Sequence, residues 1–184
     1  MEDEKTISAP NEELIWEQLA TDFKLDPEPV EYNAVLEQSD RRILLDIFNN
    51  HEVSFRAESF TILTSYLYSR TNFRFALHKE SFIDEIGKFC GMQDYILGYK
   101  EFDDRFVIKT NDEEKTAILF ADPAIRKILL SLPELTFGTV EYTLENADGK
   151  APFLELKIEK AINDLTVLRK TYRTFYKVLE SMES

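Results

Sequence analysis

"LTFGTVEYTLENADGKAPFLELKIEKAINDLTVLRKTYRTFYKVLESM", Leu135 to Met182, contains the change of hydrophobic period on which the fold turns. Its first half reads as two strands, "LTFGTVEYTL" and "FLELKIE", joined at "NADGK", where Asp148 and Gly149 supply turn chemistry. Gly138 is placed to mark a bulge. The second half reads as one long helix, because Ala161, Leu165, Leu168, Tyr172, Phe175, Leu179 and Met182 recur at alternating steps of four and three. That order predicts a helix laid across a sheet, with a dimeric coiled-coil contact as the other use of the same seam.

Upstream the period of two returns. Val30, Tyr32, Ala34 and Leu36 alternate with polar residues, and Ile43, Leu45 and Ile47 repeat the pattern after "QSD", which predicts a hairpin. "FTILTSYLYS" and "NFRFALHK" predict two further strands, the latter with Phe73, Phe75 and Leu77 on one face and Arg74, Ala76 and His78 on the other. Helices are signalled by their starts. Asn11 caps one that carries Glu12 and Glu13 in its first turn and ends at "DPEPV". Ser81 caps a short one that closes near Gly91. After the strand "RFVIK", Asn111 with Glu114 has the form of a capping box, and Asp122 with Pro123 opens a further helix that Pro133 ends. Residues 1–10 are expected to be flexible and residues 11–184 to form one domain. The fold class expected is α+β: a largely antiparallel sheet of about six or seven strands, an N-terminal helix, a central helical pair and a long C-terminal helix on the sheet.

Composition narrows the partners. With 35 Asp and Glu against 22 Lys and Arg, the chain of 184 residues has a formal net charge of -13, which repels nucleic acid and anionic lipid at long range. Cys90 is the single cysteine, so an intramolecular disulfide and a cysteine metal cluster are excluded, and a reducing compartment suits the chain. The start "MEDEKTISAPNEELIWEQLA" lacks the basic and apolar regions of a signal peptide, and no stretch nears about 18 apolar residues. A cytoplasmic protein without a membrane span is the expectation.

Few residues suggest chemistry. Glu101, Asp103 and Asp104 in "KEFDDR" could bind a hard cation or act as general acid and base; their structural use would be to pair with Arg105 or cap a turn. His51 and His78 lack any HExxH spacing. Cys90 and His78 flank the same short helix as a nucleophile and base would, although Phe89 and Met92 beside Cys90 favour an inert buried thiol. The glycine spacings of phosphate-binding loops and the GxSxG elbow are absent from the sequence, and no cofactor is expected. Arg169, Arg173 and Lys177 stand at four-residue steps, a basic stripe for a phosphate or acidic partner, or one paired with the chain's own carboxylates. Gln93, Asp94, Glu101, Asp103 and Lys109 surround a glycine-bounded loop and form the candidate binding loop. The 14 Phe and 8 Tyr could line an apolar cavity between sheet and C-terminal helix or fill a core.

Between about residues 70 and 135 the sequence also shows a resemblance. Phe73 to Phe75 (FRF), Gly87, Lys88, Gly91, Gln93 and Asp94 (GKxxGxQD), Gly98 to Asp112 (GxxxFDxxFxIKxND) and Leu119 to Arg126 (LFxDPxIR) resemble a family of uncharacterised bacterial proteins, a domain of unknown function. The tail "INDLTVLRKTYRTFYKVLESM" is similar more loosely, and residues 24–69 depart from the pattern. The resemblance implies a bacterial source and brings no activity, cofactor or site residue with it. The functional expectation is a non-enzymatic protein-interaction module that binds another protein or self-associates through its C-terminal helix. The alternatives are an apolar small-molecule-binding module with a cavity between sheet and helix, and a cation-dependent hydrolase using Glu101, Asp103 and Asp104.

Overall fold

The computed structural model describes residues 5–50, 58–68, 72–79, 91–144 and 149–183. Within them the chain runs β1 (Thr6–Ala9), α1 (Glu12–Leu25), β2 (Glu31–Gln38), β3 (Arg41–Asn50), β4 (Glu58–Tyr66), β5 (Phe75–His78), β6 (Gln93–Tyr95), α2 (Lys100–Asp103), β7 (Val107–Thr110), α3 (Glu113–Leu119), α4 (Pro123–Ser131), β8 (Leu135–Thr143), β9 (Lys150–Ile158) and α5 (Leu165–Glu183). The fold is α+β. Its nine described strands form one mixed sheet in the order β1-β2-β3-β4-β9-β8-β5-β7-β6. Only β1 runs parallel to its neighbour; the other described pairs are antiparallel.

Because successive strand residues point to opposite faces, two adjacent cross-strand rows separate the two sides of the sheet. One row runs Ala34, Leu45, Leu63, Leu156, Phe137, Leu77 and Ile108 across seven strands, and each of these side chains is at most 1% exposed. The next row runs Val35, Leu44, Thr64, Glu155, Gly138, Ala76 and Lys109 on the opposite face. The five described helices pack toward the first row. Phe23 of α1 meets Tyr32 of β2, Phe175 of α5 meets Phe137, and Phe120 after α3 meets both Phe75 and Phe102 of α2. α4 lies against α5.

α5 shows why the seam is periodic. Leu168, Tyr172, Phe175, Val178 and Leu179 are buried against the sheet and α1, with Tyr172 edge-on to Trp16 at a centroid distance of 5.8 Å. Each such burial contributes about 1.5–3 kcal/mol, and Phe175→Ala alone removes about 3–5 kcal/mol. The apolar seam is therefore used within this chain and is not offered as a coiled-coil contact. The same side chains belong to one buried apolar cluster between sheet and helix.

Several local expectations are corrected. Thr6–Ala9 are not frayed: they form β1, paired with Val35 to Gln38, with Ile7 and Ala9 buried. The capping residue of α3 is Asp112, whose side chain accepts from the Lys115 amide at 3.0 Å. Asn111 instead joins the chain before β5, accepting from the Arg74 amide and donating to the Asn72 carbonyl. Gly138 marks no bulge; it pairs regularly between Glu155 and Ala76, and a Cβ there would lie 2.4 Å from the Phe75 carbonyl oxygen. The sheet has nine described strands where about six or seven were expected, because short β1 and β6 show too few alternations to stand out in sequence. The short helix expected after Ser81 lies outside the described residues.

Candidate interaction face

The loop between β6 and β7 brings its candidate residues together but gives each a structural partner. Asp94 and Lys109 are directly opposite on β6 and β7 and pair at 3.0 Å. Gln93 donates to the Glu113 carboxylate at 3.3 Å. Asp103 is aimed at the backbone: its two oxygens accept from the Leu97 and Gly98 amides at 3.0 and 2.8 Å. This clamps a turn in which Gly98 adopts φ +88°, a conformation glycine takes without strain. Asp104 pairs with Lys100, and Glu101 is exposed. The stretch read as a loop is in fact helix α2.

Of the three carboxylates of the hydrolase reading, Asp103 and Asp104 thus face different partners, and Glu101 is exposed. No group of three His, Cys, Asp or Glu among the described residues could hold a metal ion. Arg105, expected on Asp103 or Asp104, instead donates to the Leu130, Leu132 and Pro133 carbonyls, satisfying the free end of α4 that every helix leaves.

The basic stripe is a clamp. Arg169 and Arg173 both reach Glu12, Arg169 also reaches Glu13, and Lys177 reaches Asp122 at 3.1 Å. Burial pushes the Glu12 carboxyl up, but the two guanidinium groups outweigh it and hold it below its ordinary value. Asp122 is held low first by the Ala124 amide and then by Lys177. Glu12 and Asp122 sit at the starts of α1 and α4, where carboxylates also oppose the helix dipole. The stripe fastens three helices together.

His78 faces the other side of the sheet and is 1% exposed. Its Nδ1 donates to the Lys79 carbonyl at 2.8 Å, and Nε2 has no hydrogen-bond partner among the described residues. Burial holds its pKa below the usual value, helped by Lys109 and opposed by the Lys79 carbonyl and Asp94. Cys90 and His51 lie outside the described residues.

What sequence reasoning missed is on the outer face of the sheet. Tyr68, Tyr66, Phe153 and Tyr142 form a ladder across β4, β9 and β8, with ring centroids 4.7, 5.4 and 5.4 Å apart in succession. Phe48 and Phe60 stack at 5.3 Å further along the same face. No described helix lies over these rings, and Tyr68 and Tyr142 remain 65% and 44% exposed. The Tyr142 hydroxyl donates to Glu155, and burial together with that carboxylate pushes its pKa up. The signal was present in "FTILTSYLYS", which is apolar or aromatic at both parities, the pattern of a strand covered on both faces.

At the Tyr68 end of the ladder an open groove of about 480 Å³ is lined by Asp40, Arg41, Tyr68 and Glu183. Arg41 Nε lies 3.2 Å from Glu183 and its guanidinium 5.6 Å from the Tyr176 ring. Glu183 also accepts from the Tyr68 amide at 3.1 Å.

These features define the class: an α+β protein with helices on one face of a mixed sheet and an aromatic ladder on the other. No helix among the described residues is long and apolar enough to cross a membrane. The sequence matches no protein-family model and no curated protein. Among solved structures, the chain is similar to the mycobacterial trehalose monomycolate transport factor A, TtfA, at 10% identity over 77% of this chain and 70% of that one, with a TM-score of 0.42. A likeness of that degree carries no functional argument.

Proposed function

We propose that this chain is a non-catalytic cytoplasmic module that binds another protein on the outer face of its sheet. The observation that carries the reading is the Tyr68–Tyr66–Phe153–Tyr142 ladder, left partly open while the five described helices pack on the opposite face. Contiguous apolar surface on a folded chain marks an interaction site, and exposed tyrosines on a rigid sheet supply contact area at low conformational cost. The structural bonds made by Asp103, Asp104, Arg169, Arg173 and Lys177 favour a binding role over a catalytic one. The single cysteine is in keeping with a reducing compartment. The motif order from Phe73 to Arg126 supports membership of the bacterial family it resembles.

The test is photo-crosslinking in cells that express the protein natively, with a benzoyl-phenylalanine in place of Tyr142 or, as control, of Glu17 on the exposed side of α1. A discrete adduct with another polypeptide from position 142 and not from 17 is expected. Equal labelling from both positions, or none from 142, overturns the proposal.

A further inference from the structure

Resting on that reading of the face, we infer that the partner is a cationic segment: an extended stretch of another protein that lays apolar side chains on the ladder and places a Lys or Arg in the groove at Tyr68. Charge is the first argument. Among the described residues the groove holds Asp40 and Glu183, with Glu180 acting on the same guanidinium, against the cation Arg41. The Asp40 side chain is 90% exposed and lies 3.7 Å from Arg41, too far for a hydrogen bond.

Three described cations on the outer face are already paired. Arg42 meets Glu37 at 3.0 Å, Lys157 meets Glu159 at 2.9 Å and Lys109 meets Asp94. A partner therefore meets more negative than positive described charge in the groove beside open rings, and rings of this kind attract Lys and Arg over their faces. The Tyr66–Tyr68 contact makes groove and ladder one continuous surface. The net charge of -13 steers a basic partner inward and opposes a second copy of the same chain.

The probe is a phage-displayed library of random peptides of about twelve residues, a length that spans a sheet face, selected on the full chain. Peptides recovered are expected to be enriched in Lys and Arg beside apolar residues. Their affinity should fall roughly ten-fold or more in Asp40→Lys and in Tyr68→Ser. Both positions are exposed, and circular dichroism confirms that each variant is folded. Glu28→Lys, in the segment between α1 and β2 and with the same change in net charge, should leave affinity unchanged and so separates local recognition from bulk charge.

Peptides that depend on Tyr142 but show neither basic enrichment nor an Asp40 effect overturn the cationic partner and leave the binding face standing. Binding indifferent to both Tyr142→Ser and Tyr68→Ser, or no selection at all, removes both. A concentration-dependent dimer in light scattering that Tyr68→Ser abolishes assigns the face to a second copy and overturns the inference.

Discussion

Gly138→Ala is expected to destabilise the sheet at its middle, and the structure sets the size of the effect. A Cβ at 138 would stand 2.4 Å from the Phe75 oxygen and 2.8 Å from the Ala76 Cα, whereas ordinary contact begins near 3.4 Å. Strand β5 would have to retreat by about 1 Å, yet it is held by Phe75 edge-on to Phe120 and Phe137 and by the Thr139 hydroxyl donating to the Phe75 carbonyl. Overpacking costs about 1–3 kcal/mol, and loosening a buried backbone hydrogen bond adds about 1–3 kcal/mol. The unfolded chain loses freedom when Gly becomes Ala, which offsets only about 0.4–1 kcal/mol. A net loss of about 1–5 kcal/mol lowers the melting temperature by roughly 2–20 °C in a chain of this length. Urea melts followed by circular dichroism measure it directly, with an unchanged slope if only stability has moved. A midpoint equal to or above wild type would refute the β5–β8 pairing, and with it the row that sorts the two faces.

Stability should fall in two stages as pH drops. His78 is buried with its neutral form favoured, so below about 6.5 the unfolded chain takes up a proton that the folded chain refuses. The slope approaches at most about 1.4 kcal/mol per pH unit until the depressed folded pKa is reached, and His78→Gln should flatten this limb; an unchanged slope between pH 6.5 and 5 contradicts the burial of His78. Glu12 acts lower, because its carboxylate is stabilised in the fold by Arg173 and Arg169, and that stability is lost as pH falls below 4.5 toward its lowered folded pKa. Glu12→Gln should shrink this second stage, leaving the share carried by Asp122 and Asp164, and leave the first unchanged. Asp103→Ala should cost about 1–2 kcal/mol, reduced by partial exposure, and should speed hydrogen exchange at the Leu97 and Gly98 amides without touching β3 or β4; uniform acceleration would mean that Asp103 does not act as a local clamp.

The elements that could be read in sequence obey rules spanning a few residues. Asn11 and Asp122 accept amide hydrogen bonds from Leu14 and Ala124 as helix caps should, and the alternation of Ile43, Leu45 and Ile47 and the steps of α5 follow from the periods of strand and helix. Where two neighbours were both competent, sequence could not choose: Asn111 and Asp112 each make a good cap, and the chain uses Asp112 because Asn111 is bound to Asn72 and Arg74, about forty residues away. Pairings between distant segments lay further out of reach. The hairpin of β8 and β9 inserts between β4 and β5, and Arg169, Arg173 and Lys177 close on Glu12, Glu13 and Asp122, contacts whose energy depends on geometry that no local period encodes. The aromatic ladder belongs to the same category. Alternation tells which residues share a strand face, but only the placement of five helices on one side decides that Tyr66, Tyr68, Phe153 and Tyr142 are left on the other.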